Sequence, residues 1–262
     1  MYDDIVARGK RGTWRLALVG MLTVAALATA ATTVVLWLRG SGSTTPSEAG
    51  GPAEPTELRL DQRAGDAAGA GPDDASGAVS VVMPADLEWQ EVAGVALPVS
   101  ASKGPQNTSD GLATGFAHDP AGAVLAAINI VVRVNPQNGP GVFGPTLRNQ
   151  VVGPDSPALR ARVESAYETL RDQHGLAYGQ PVGRLYATFL GFRVDRYTDT
   201  DAWLRILGEG PDGRGGTFLS AMRVQMSWTG TDWALVAPAD GDFGTAAEPV
   251  GSVEFYTRFP RS

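Results

Sequence analysis

The chain has 262 residues, 43% of them hydrophobic, with a net charge of −7, two histidines and no cysteine. Zinc fingers, thiol catalysis and disulfide frameworks are excluded at once. Positions 1–39 hold five basic and two acidic residues, so the remainder carries 16 basic against 26 acidic residues, a net charge of −10. Direct nucleic-acid binding is not expected, because affinity for phosphate backbones comes mainly from Lys and Arg.

Residues 16–38 form an uncharged run, LALVGMLTVAALATAATTVVLWL, long enough at about 1.5 Å per residue to cross a hydrocarbon core of roughly 30 Å. Arg8, Lys10, Arg11 and Arg15 precede it and only Arg39 follows closely. The positive-inside rule therefore predicts a cytoplasmic tail (1–15), one transmembrane helix (16–38) and an extracytoplasmic remainder, with Trp14 and Trp37 at the two interfaces. Ala28-Thr29-Ala30 has the form of a signal-peptidase site, but the apolar run exceeds the roughly 7–15 residues of a signal core, which favours a retained anchor.

Residues 39–79 are rich in Gly, Ala, Ser, Pro and acid, a composition that cannot bury a core and predicts a disordered linker. One domain is expected over 80–262. Lys103–Asn107 reads as an exposed loop within it. Asp119-Pro120 supplies an N-cap and a first-turn proline, followed by Val124, Leu125, Ile128, Val131 and Val132 on one face. Gly144-Pro145 to Val152 predicts a shorter helix. Ser156-Pro157 opens another, which places Leu159, Val163, Ala166, Tyr167 and Leu170 on one face and ends at His174-Gly175.

The period then changes to two. Tyr186, Thr188, Leu190, Phe192 and Val194 share one parity; Ala202, Leu204 and Ile206 follow, then Phe218, Met222, Val224, Met226 and Trp228. Thr229-Gly230-Thr231-Asp232 leads into Trp233 as a hairpin turn. Helices followed by a meandering antiparallel sheet predict an α+β domain whose sheet curls over the helices.

Candidate chemistry is sparse. His118 stands just before a helix start, where local hydrogen bonding in a loop is its ordinary role, and His174 lies in a last helical turn, where a partly cationic ring suits the dipole. Asp199-Thr200-Asp201 has the beginning of a calcium loop without the remaining ligands, and reads as a solvated turn. The glycine-rich Gly208–Gly216 stretch joins strands and opens no helix, so it makes no phosphate cradle. No catalytic, cofactor or metal residues are assigned. Trp89, Trp203, Trp228 and Trp233 are expected to fill the core of a curved sheet; Trp203, Trp228, Trp233, Tyr186, His118 and Asp195 are the candidates for a pocket or interface.

The segment Gly115-Phe116-Ala117-His118-Asp119-Pro120-Ala121-Gly122-Ala123-Val124-Leu125-Ala126-Ala127 resembles a helix-opening motif of actinobacterial conjugative-element membrane proteins. Trp228-Thr229-Gly230-Thr231-Asp232-Trp233-Ala234-Leu235-Val236-Ala237-Pro238, followed by Gly241-Asp242-Phe243, is similar to the paired-tryptophan hairpin and glycine-aspartate-aromatic tail of the same group. The resemblance covers about 110–262 and the anchor layout. It implies an NTF2-like cone of the kind found in TcpC and its VirB-family counterpart, in conjugation and type IV secretion machines, although one globular domain stands here where TcpC has two. On this resemblance the chain is a non-catalytic structural subunit at the cell membrane. Its expected partners are other envelope or transfer-complex proteins, with a possible homo-oligomer. Two alternatives share the fold: a ligand-binding or enzymatic NTF2-like domain using Tyr186, Asp195 or His118, and an accessory protein of a lipid-import system of the Mce-associated type.

Overall fold

A computed structural model describes residues 78–211 and 216–260. The expected tail, membrane helix and nearly all of the linker lie outside these residues. Among the described residues no helix is long and apolar enough to cross a membrane.

The chain enters through a hairpin, β1 (Leu87–Val92) and β2 (Val95–Ser100). Ala93 and Gly94 form its turn with φ of 51° and 89°, the two left-handed residues that match the twist of a tight hairpin. Helices follow: α1 (Pro120–Arg133), α2 (Pro140–Asn149) and α3 (Ser156–His174), with the short strand β3 (Val151–Val152) before α3. Three long strands come next, β4 (Thr188–Tyr197), β5 (Asp201–Pro211) and β6 (Thr217–Trp228), then β7 (Trp233–Val236). The one-turn α4 (Phe243–Ala246) and the short strands β8 (Ala247–Pro249) and β9 (Thr257–Arg258) finish the domain.

The architecture is α+β with a curved sheet. The strand order is β3-β7-β6-β5-β4-β9, with β8 added along β6. All pairings are antiparallel except β3 with β7. Two features therefore differ from the expected order of helices followed by an antiparallel meander. The β1–β2 hairpin precedes the helices, and β3 adds a parallel edge.

α1 is the centre of the core. Its residues from Ala121 to Ile130 are all buried, as alanines around an apolar stripe allow a helix to be covered on most sides. Asp119 caps it, its carboxylate accepting from Gly122 N at 2.9 Å. Asn129, fully buried, donates to Pro98 O and Leu125 O and accepts from Arg133 Nη1, which ties the hairpin to the helix. Burial pushes the Arg133 guanidinium down to about 10.

α3 matches expectation in both bounds and face, with Leu159, Val163, Ala166, Tyr167 and Leu170 buried and Gly175 left-handed at its end. α2 begins earlier than expected, at Pro140, and carries Pro145 inside. Pro140 occupies the first helical position, where a missing N–H costs nothing, and the helix absorbs the single bond lost at Pro145.

In β4 the strict alternation fails. Register shifts fall between Phe189 and Gly191 and between Val194 and Arg196, bulges that bend the strand and re-aim its side chains. Phe192 and Val194 turn to the core, but Arg193 is buried as well and Tyr186 lies outside the strand. The Lys103–Asn107 segment is also less open than expected. Gly104 is buried, and Lys103 accepts from Ala117 N and pairs with Asp119, so the loop packs against the entry to α1.

Candidate functional site

The six candidate residues fall in three separate places. The first holds His118, Trp228 and Trp233. The Asp232 carboxylate accepts from Gly115 N at 2.7 Å, Phe116 N at 3.2 Å and Trp233 N at 2.9 Å. Trp233, 1% exposed, donates its indole N–H to Ala117 O at 2.9 Å. The His118 ring stacks on Trp228, with centroids 3.9 Å apart and planes 6° from parallel, and its Nε2 contacts Asp199 O. The helix-opening segment and the paired-tryptophan hairpin thus form one interlocked unit. Gly122 belongs to it, since a Cβ there would meet Ala117 O at 2.0 Å.

The tail motif is used in the same way. Gly241 has φ of 65°, and a Cβ on it would lie 2.2 Å from Leu159 N, so α3 packs directly on its backbone. Asp242 caps α4 through Gly244 N.

The second place is the opposite face of the sheet. On β5, Ala202, Leu204 and Ile206 turn to the core, so Trp203 and Arg205 point the other way. There Asp195 bridges Arg193 and Arg205, each at 2.9 Å, and Glu248 pairs with Arg205 at 3.2 Å. Arg193, Arg205 and Arg223 stand directly opposite one another across β4, β5 and β6, a juxtaposition of like charges that needs these acids. The Arg196 guanidinium lies 3.5 Å over the Trp203 ring. Trp203 is therefore half-buried on the outer face, and the tryptophans do not share one core.

The third place is a cleft of about 340 Å³ between the helices and the sheet. Val131 and Val134 at the end of α1, Leu159, Val163 and Ala166 of α3, and Phe189, Met222 and Phe243 line it. Tyr186 and Phe218 stand at its mouth, 48% and 39% exposed. Four of its polar lining groups have internal partners: Arg162 donates to Asp240 O, Asp242 accepts from Gly244 N, Asn135 accepts from Gln137 N and Glu248 pairs with Arg205. The sequence brought Tyr186 forward but not the cleft, because its lining comes from elements far apart along the chain.

Among the described residues no group of His, Asp and Glu is arranged to hold a metal ion. Asp199 and Asp201 sit in the exposed β4–β5 turn, where Thr198 and Thr200 hydroxyls satisfy Asp201.

With this geometry in hand the comparison with known families is direct. A family described as a domain of unknown function, DUF8175, matches residues 50–258, and the chain belongs to that family. The match begins inside the segment read as linker. No curated protein and no solved structure matches the chain.

Proposed function

We propose that the chain is a membrane-anchored, non-catalytic assembly subunit of a conjugation-type or secretion-type envelope complex, with its folded part an NTF2-like cone. The order of helices, short edge strand, long helix and three long strands curled over them supports the cone. One observation carries the functional reading. The candidate side chains lie in three separate places: His118 stacks on Trp228, Asp195 sits between two arginines, and Tyr186 is exposed at the mouth of the cleft. General acid–base work needs such groups within reach of one reacting centre.

The reading is tested by fractionating cells and measuring the intact mass of the membrane-bound protein. A chain that starts at Met1 and stays with the membrane is expected, with the extracytoplasmic part open to added protease. Protein starting near Ala31 and released to the medium would replace the anchored subunit with a secreted binding protein.

A second reading, a ligand-binding NTF2-like domain, is favoured by the cleft itself. Its volume lies at the low end of the roughly 300–1,000 Å³ range of ligand pockets.

A further inference from the structure

We infer that the cleft between α1, α3 and the sheet is a binding site for a single-chain amphiphile of the fatty-acid type. The hydrocarbon tail would lie against Val131, Leu159, Val163 and Met222, with the head group at the mouth near Arg162. The inference deepens the ligand-binding reading; it shares the membrane anchor with the assembly reading but not the partner contacts.

The argument begins with what the walls offer. They are overwhelmingly aliphatic and aromatic, and the Asn135, Asp242 and Glu248 side chains among them are held by neighbours in the chain. A sugar, nucleotide or peptide backbone would leave its own donors and acceptors unpaired there, a cost for each buried group. A hydrocarbon chain leaves none. Size sets the next limit: about 340 Å³ suits one acyl tail, whereas a two-chain phospholipid would need a much larger cavity.

The mouth supplies polarity where a head group belongs. The Arg162 side chain is 43% exposed; its Nε donates to Asp240 O at 2.8 Å and its Nη1 lies 4.0 Å from Asp242 Oδ2, which leaves part of the guanidinium open to solvent. Tyr186 adds a phenol at the same opening. Supply follows from the anchor reading of residues 16–38. On that reading, a random coil of the length of residues 39–79 would span about 35 Å, which would keep the cleft near a bilayer and raise the local concentration of amphiphiles.

The test uses the full chain reconstituted in phosphatidylcholine vesicles with a twelve-carbon fatty acid carrying a diazirine in its tail. After irradiation the labelled peptides are mapped by mass spectrometry. Label is expected in the segments around 159–166, 185–189 and 218–222. Ala166→Trp, which fills the cleft from α3, should reduce that labelling at least tenfold, as should Phe218→Asp, a change at an exposed position that leaves the core intact. Circular dichroism checks that both variants keep the native fold. Label confined to residues 16–38 reports on the membrane anchor alone and overturns the inference, as does cleft label unchanged in a folded Phe218→Asp protein. Absence of cleft label in a chain that still starts at Met1 and stays with the membrane would remove the amphiphile site and leave the anchored-subunit reading standing.

Discussion

Asp232 gathers three backbone N–H groups, from Gly115, Phe116 and its own neighbour Trp233, and thereby fastens the loop before α1 to the β6–β7 turn. Asp232→Ala leaves these donors without their acceptor, a loss of about 2–3 kcal/mol for charge-assisted bonds in a half-buried setting. Chemical denaturation should show this as a lower midpoint with an unchanged slope, and the His118–Trp228 stack should loosen, visible as a change in tryptophan fluorescence. Ala93 presents the opposite opportunity. It holds φ of 51° in the β1–β2 turn, a left-handed conformation that asparagine tolerates better than alanine. Ala93→Asn is expected to stabilise the domain, read as a rise in Tm.

The elements differ in how much of themselves the sequence displays. α1 and α3 were legible because capping residues, first-turn prolines and a 3.6-residue apolar period agree with one another, and the bounds of α3 match its signals residue by residue. β4 was only partly legible: the bulge before Gly191 breaks the two-residue period, so Phe189 lines the cleft instead of Thr188 or Leu190, while Arg193 keeps its place in the alternation and is buried on the outer face by its neighbours there. The β1–β2 hairpin lacks the usual Asn-Gly or Asp-Gly turn and relies on Ala93-Gly94 instead, so its signal was weak. As for the candidate site, the motifs in 115–122 and 228–233 stood out in the sequence because packing constrains them tightly. The cleft, assembled from α1, α3, β4, β6 and α4, left no local trace.

Charge acts at the element scale at the start of α1. Burial works to raise Asp119, but hydrogen bonds from Lys103 and Gly122 N, together with the Lys103 charge, outweigh it and hold the carboxyl below its ordinary value of 3.8. A folded-state pKa below the unfolded one gives stability that is present above about pH 3.8 and is lost as pH falls through the folded value. Asp119→Asn keeps a side chain able to cap the helix and removes the titrating charge. The loss of Tm between pH 5 and pH 3 should therefore be smaller in that variant than in the parent protein, as followed by thermal melts. An equal loss in both would assign the acid sensitivity to other groups.

For the whole molecule, the sheet is closed at both ends by two-residue strands, β3 at one edge and β9 at the other. Short edge strands protect a sheet against pairing with another copy. Association by strand addition at those two edges is thus disfavoured, and under the proposed assembly role partner contacts would fall to side-chain surfaces such as the arginine-lined outer face. The proposed assembly role makes a definite demand on those surfaces: the protein should not be alone in the envelope. The most direct measurement is chemical crosslinking in intact cells, followed by purification from the membrane fraction and identification of what is attached. Recovery with other membrane-bound transfer or secretion proteins is the predicted result; clean recovery as an isolated monomer would contradict it.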